Sequence, residues 1–170
     1  MVPLPSGFSS DLIAAFGVLK TRTALSVDDL RVLAMIEAAG EEFYVRIARS
    51  IPGNAPGTAE ARTLLMRNGR EERGHARRLL KAIAAEGARF ELPVHSDNPF
   101  VASLPPEIPA TAGFLKDLES GEQEGDRQYQ AWADAATNPV VARILRQNGR
   151  EETRHGRRDA RVVRLLAAQG

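Results

Sequence analysis

Both tyrosines of this chain stand seven residues after a glutamate, and two of its three histidines stand three residues after one. The pairs are Glu37/Tyr44, Glu72/His75, Glu122/Tyr129 and Glu152/His155, so a Glu–Tyr, Glu–His order runs twice along the sequence. Residues at i and i+3 lie about one turn apart on one helix face, so each Glu–His pair can aim a carboxylate and an imidazole at a single centre. One such pair in a glutamate-rich helix carries little weight. Two at matching places of a repeat, with Glu37 and Glu122 on the alternate helices, give four carboxylates and two imidazoles. Four helices can close such a set around two metal ions. The oxygen-rich donors suit iron or manganese, or a mixed pair, better than zinc. Glu72 and Glu152 are expected to bridge the ions, with Glu37 and His75 completing one and Glu122 and His155 the other. Without metal, four carboxylates this close should repel one another or take up protons.

Tyr44 and Tyr129 share the faces of Glu37 and Glu122, two turns on. Each is either a phenol acting beside the metals, as a hydrogen-bond donor or redox group, or a core aromatic with a satisfied hydroxyl. Both readings put the rings inside. Glu71 and Glu151, one turn before the histidines, can hold a ring N–H or pair with arginine at the surface. Asn68 and Asn148, two turns before them, can line the same space. Gly40, Gly69, Gly74, Gly125, Gly149 and Gly156 each cost a helix about 1 kcal/mol relative to alanine, so they make room for something or sit on an exposed face. Arginines near 70–78 and 150–164 read as a charged helix face paired with local glutamates in preference to a phosphate or RNA site. His95 stands alone and is given no role.

These residues need four helices to position them. Ser26, followed by Asp28 and Asp29, reads as a helix start, and the apolar period through Leu30, Leu33, Ile36, Ala39, Phe43 and Ile47 carries that helix over 26–50. Helices are expected over 58–86, 111–138 and 139–168, with Gly87 ending the second and Pro139 in the first turn of the fourth. Residues 88–110 contain five prolines and read as an extended strap. A strap of that length reaches roughly 70 Å, against about 42 Å for a 28-residue helix, so the helices it joins can run parallel. Asn68-Gly69-Arg70-Glu71-Glu72 recurs as Asn148-Gly149-Arg150-Glu151-Glu152, a spacing of 80 residues. The fold expected is all-α: a four-helix bundle of two duplicated hairpins with one long crossover between the second and third helices. Residues 26–170 form the bundle. Residues 1–25 form an extension with one short amphipathic helix, capped at Ser9–Ser10 and striped by Leu12, Ile13, Phe16 and Leu19, which covers the bundle or meets a partner subunit.

At 170 residues a single domain can bury its own core. The absence of cysteine excludes disulfides, iron–sulfur clusters and thiolate zinc sites. A net charge of +1 makes no global demand for nucleic acid or an anionic membrane. No apolar run approaches the ~20 residues that span a bilayer, and Met1–Ser10 lacks the pattern of a secretory leader, so a cytoplasmic location is expected.

The Glu–Tyr and Glu-x-x-His pattern resembles the ferritin-like di-iron carboxylate superfamily, most closely its rubrerythrin-like branch, over about residues 26–168. Glu151-Glu152-Thr153-Arg154-His155 also resembles the acidic-Glu-x-Arg-His motif of di-iron oxygenases, whereas the first copy has Gly74 in place of the arginine. The resemblance implies a ferritin-like fold and two irons that react with hydrogen peroxide or dioxygen. Rubrerythrins draw electrons from a cysteine-ligated iron domain, and with no cysteine this chain would need an external electron donor. They also carry a further ligand carboxylate one turn beyond the third-helix glutamate, where this chain has Gly125 between Glu124 and Asp126. A homodimer is expected at the family level. Three other functions stay open: a ferroxidase, a di-iron substrate hydroxylase, and a metal-free helical scaffold.

Overall fold

Ser26 opens the first long helix with a reciprocal cap. Its hydroxyl accepts from the Asp29 amide at 3.2 Å, and the Asp29 carboxylate accepts from the Ser26 amide at 2.9 Å. The computed structural model describes residues 2–168, so Met1 and the last two residues of the expected bundle lie outside the described part. Its helices are α1 (Leu12–Lys20), α2 (Val27–Ser50), α3 (Pro56–Ala85), α4 (Pro99–Ser103), α5 (Ala112–Ala135) and α6 (Pro139–Ala167). Gly87, at φ +76°, turns the chain out of α3 in a conformation that a Cβ would strain.

α2 and α3 form one hairpin and α5 and α6 the other, and the two hairpins meet along α3 and α6. Side-chain bonds fix the directions. The Asn138 amide donates to the Ala85 carbonyl at one end, and the Ala110 amide donates to the Ser50 hydroxyl at the other. The 88–110 strap therefore runs the length of α2. Arg31 donates to the Arg89 carbonyl near its start, and Arg46 to the carbonyls of Leu104 and Pro105 near its end. α3 and α5 consequently run parallel, as a ferritin-like bundle with one long crossover requires.

α2 and α5 are not among the closely packed pairs, and side chains fill the space between them. At one end α1 wedges in: Phe16 meets Trp132 edge-on at 6.2 Å, Leu19 is fully buried, and Lys20 pairs with Glu124 at 2.7 Å. At the other end Phe43 meets Phe114 at 6.2 Å. The core is accordingly split into two apolar clusters, with the Glu/His residues between them.

Two local expectations are corrected. The extension's helix is capped by Asp11, whose carboxylate accepts from the Ala14 amide at 2.7 Å, and not at Ser9–Ser10; Ile13 lies outside its buried stripe at 81 % exposure. The crossover is not extended throughout. It holds a 3-10 turn at His95–Asp97 and the short helix α4. Asn98 explains this: its side chain accepts from the Phe100 amide at 3.0 Å and donates to the Met35 carbonyl at 2.9 Å. That pins a helical turn against α2 and buries Phe100 completely. Pro99 suits the first turn, where its missing N–H costs nothing. No helix among the described residues is long and apolar enough to cross a membrane.

The repeated glycines let each hairpin close. A Cβ on Gly149 would stand 2.8 Å from the Tyr129 Cβ, and one on Gly69 would stand 3.1 Å from the Glu41 carbonyl oxygen. Alanine normally gains about 1 kcal/mol over glycine inside a helix. Gly149→Ala is instead expected to lose about 1–3 kcal/mol by overpacking, read as a lower urea midpoint. An unchanged or raised midpoint would contradict the close approach.

Candidate metal centre

The six residues singled out by the repeat converge at mid-bundle, one Glu from each of α2 and α5 and one Glu–His pair from each of α3 and α6. Donor atoms of Glu37, Glu72, His75 and Glu152 lie within 4.8 Å of one another, as do those of Glu72, Glu122, Glu152 and His155. Glu72 and Glu152 belong to both groups, and each divides its two oxygens between the two histidines. Glu72 places Oε1 3.0 Å from His155 Nδ1 and Oε2 3.3 Å from His75 Nδ1. Glu152 places Oε1 3.0 Å from His75 Nδ1 and Oε2 3.1 Å from His155 Nδ1. Glu37 Oε2 lies 3.0 Å from His75 Nδ1, and Glu122 Oε2 lies 3.8 Å from His155 Nδ1. The imidazoles stack at 5.3 Å with 14° between their planes. Gly40 leaves room for this packing, since a Cβ there would come within 2.9 Å of the Glu72 Cγ.

The groups around the donors cross between the two halves of the repeat. His75 Nε2 lies 3.1 Å from Glu151, and His155 Nε2 lies 3.2 Å from Glu71. Each of these glutamates is held from outside by an arginine: Arg78 on Glu151 at 2.5 Å, and Arg158 on Glu71 at 2.9 Å. Burial would raise both carboxyls, but the imidazole and arginine contacts outweigh it. Glu151 drops to about 2 and Glu71 falls well below the usual range. An ionised carboxylate at Nε2 keeps the proton on that nitrogen and turns the Nδ1 lone pair inward. Asn68 and Asn148 complete the outer ring. The Asn68 side-chain oxygen accepts from Arg158 and that of Asn148 from Arg78, both at 2.7 Å.

The tyrosines cross over in the same way. Tyr129 donates to Glu37 Oε1 at 2.5 Å, and Tyr44 donates to Glu122 Oε1. Burial, and then the adjacent carboxylates, push both phenols well above their ordinary range, so they stay protonated.

The donor set fits divalent cations. His155 Nδ1 is buried with no hydrogen-bond partner, although carboxylate oxygens stand around it, an arrangement that suits a metal-ligating nitrogen. The proton balance agrees. Burial, and then neighbouring carboxylates, raise Glu37 and Glu122 well above the usual carboxylate range. Burial also disfavours charge on Glu72, but the flanking imidazoles hold it well below that range. The carboxylates in turn raise both histidines against the effect of burial. Metal-free, the centre therefore stores protons that divalent ions would displace.

Asp159 is a functional candidate that sequence reasoning missed. It is fully buried beside Tyr44, with Oδ2 3.3 Å from the phenol oxygen and Oδ1 accepting from Asn68 at 3.0 Å. The first copy has Leu79 at this place, so the pair Tyr44–Asp159 has no counterpart at Tyr129. Burial lifts its carboxyl to about 8. The Tyr44 hydroxyl donates to Glu122 and is also directed toward Asp159 Oδ2 at 3.3 Å. Unfolded, this carboxyl ionises above about pH 4; folded, it keeps its proton to about pH 8, so stability falls as pH rises through that window. Asp159→Asn should remove the dependence. In metal-free protein, the variant is expected to gain a few kcal/mol on wild type between about pH 5 and pH 8, measured by urea unfolding. An equal difference at both pH values would contradict a neutral buried Asp159.

A four-helix bundle with one long crossover and a buried Glu/His cluster between its helices defines a ferritin-like carboxylate protein. The family model described as Rubrerythrin matches residues 30–162, and the chain belongs to the rubrerythrin family. No curated protein and no solved structure gives a significant match.

Proposed function

We propose that the chain is a non-haem di-iron oxidoreductase that reacts with hydrogen peroxide or dioxygen. The observation that carries this reading is the division of Glu72 and Glu152 between two donor groups, which suits bridging carboxylates. Glu37 and His75 would complete one ion's ligands, and Glu122 and His155 the other's. Iron bound there would supply one-electron steps and Lewis acidity toward an oxygen substrate.

The chain's own residues do the rest. Glu71 and Glu151 fix the imidazole tautomers. Tyr129 and Tyr44 keep their own protons and donate hydrogen bonds to Glu37 and Glu122, and the buried Asp159 carboxyl stands behind Tyr44 as a further proton-holding group. The two apolar clusters keep bulk water from the centre on either side. With no cysteine in the sequence, electrons come from an external donor. A homodimer belongs to this proposal and is read from the mass in solution.

One feature favours a second reading, a ferroxidase that oxidises Fe(II). The additional carboxylate expected by resemblance one turn beyond Glu122 is replaced by Gly125, and the neighbouring Asp126 is engaged elsewhere, accepting from Gln130 at 2.7 Å and Thr153 at 2.5 Å. Peroxide consumption by iron-loaded protein with a supplied reductant separates the two. Continuous turnover supports the peroxidase. One round of Fe(II) oxidation without turnover supports the ferroxidase and overturns the first reading.

A further inference from the structure

The charge of this protein is sorted by helix pair. α3 carries seven Lys or Arg against three Asp or Glu, and α6 eight against three. α2 carries three against five, and α5 two against six. The net charge of +1 conceals a strongly basic layer backed by an acidic one. The acids of α3 and α6 do little to neutralise the outer side of their layer. Glu72, Glu152 and Asp159 are buried in the centre, and Glu71 and Glu151 turn inward to the histidines. Outward pairing is confined to Glu60 with Arg161 at 2.5 Å, Glu71 with Arg67 at 3.1 Å and Glu151 with Arg154 at 2.9 Å.

Arg70 and Arg77 of α3 recur in α6 as Arg150 and Arg157. All four are exposed, and none forms an ion pair or side-chain hydrogen bond among the described residues. In each helix the two lie seven residues apart, two turns along one face. The repeat and the antiparallel packing of α3 on α6 make the four a two-fold-related set. Arg77 and Arg157 are the sequence neighbours of Arg78 and Arg158, from which contacts lead inward through Glu151 and Glu71 to the imidazoles.

We propose that the outer face of α3 and α6 is the docking surface for a small acidic one-electron carrier protein, with Arg70, Arg77, Arg150 and Arg157 as its main contacts. The proposal rests on reading the centre as redox-active. Charge complementarity selects the partner: uncompensated guanidinium groups steer and orient an anionic surface at little desolvation cost on a rim. Nucleic acid fits less well. Neither α3 nor α6 contains a Phe, Tyr or Trp on which bases could stack. A second copy would have to present its acidic α2–α5 side, a head-to-tail contact that builds rings or filaments and not a two-fold dimer. In the peroxide reaction each encounter would oxidise the carrier by one electron. Two such electrons and two protons convert one hydrogen peroxide to two waters, with the O–O bond broken.

The test uses the full chain, metal-free and iron-loaded, with an acidic plant-type [2Fe–2S] ferredoxin and an acidic flavodoxin as probes. Binding is measured by titration calorimetry as salt is raised to about 150 mM, where the Debye length falls to about 8 Å. Expected is salt-sensitive binding of at least one carrier to both forms. It should be weakened at least tenfold in the variant R70E/R77E/R150E/R157E, whose helicity and iron content stay at wild-type values. Arg143→Glu with Arg164→Glu, elsewhere on α6, should weaken it far less. Four results overturn the proposal: no binding of either carrier, equal binding by variant and wild type, tighter binding of a duplex DNA or RNA, or salt-sensitive self-association lost in the variant. Because metal-free protein is tested too, failure here leaves the iron centre standing, and failure of iron loading leaves the docking result readable.

Discussion

Glu72→Ala is expected to empty both halves of the centre at once, dropping bound metal from two ions per chain to near none. The reason is geometric. Glu72 is common to both donor groups, and its two oxygens face different histidines at 3.0 and 3.3 Å. Removing a residue from the end of the set, such as Glu37, touches only one group. The metal-free variant should also be less stable by about 3 kcal/mol, because a buried imidazole loses its carboxylate partner. Glu41→Ala is the control. Glu41 lies on α2 beside the cluster but pairs outward with Arg73 at 2.6 Å, so its loss should cost under about 1 kcal/mol and leave metal content unchanged. Metal analysis after desalting, with urea unfolding of both proteins, decides it. Full occupancy in Glu72→Ala would show that Glu72 does not bridge.

Loading with Fe(II) under anaerobic conditions is expected to raise the thermal midpoint by roughly 8–16 °C, and a chelator should reverse the gain. An ion present at about a thousand times its dissociation constant stabilises by about 4 kcal/mol. Each kcal/mol moves a domain of this size by about 2–4 °C. The effect should shrink as pH falls. Burial and neighbouring carboxylates raise Glu37 and Glu122, and the carboxylates raise His75 and His155, so protons compete with metal more strongly at lower pH. A midpoint unmoved by iron and by chelator would favour the metal-free scaffold.

The six residues that converge at mid-bundle were legible in the sequence because the pattern is written twice. Glu72-x-x-His75 alone is an ordinary helical spacing; its recurrence at 152 and 155, with Glu37 and Glu122 on the alternate helices, is what singled out six residues among many charged ones. Helix order and the strap followed from proline content and length. What repeats hide is crossing. Tyr44 follows Glu37 in sequence yet donates to Glu122, and Glu71 precedes His75 yet meets His155. Local spacing contains nothing about which half supplies a partner. Asp159 was missed because it breaks the repeat. Its signal was present all the same: an acid four residues after His155, on the buried face, where the first copy has Leu79. α4 was missed because prolines that argue against a long helix also suit the first turn of a short one. The pocketing of α1 against Trp132 depends on the gap between α2 and α5, a tertiary feature with no local sequence signature.

The di-iron centre is tested most directly by iron per chain after anaerobic Fe(II) loading and desalting, with the optical spectrum followed on adding peroxide. Close to two irons per chain are expected, one for each donor group, with a near-ultraviolet absorption that grows as peroxide is added. Fewer than about half an iron per chain, or iron that stays bound when both Glu72 and Glu152 are replaced by alanine, would contradict that centre.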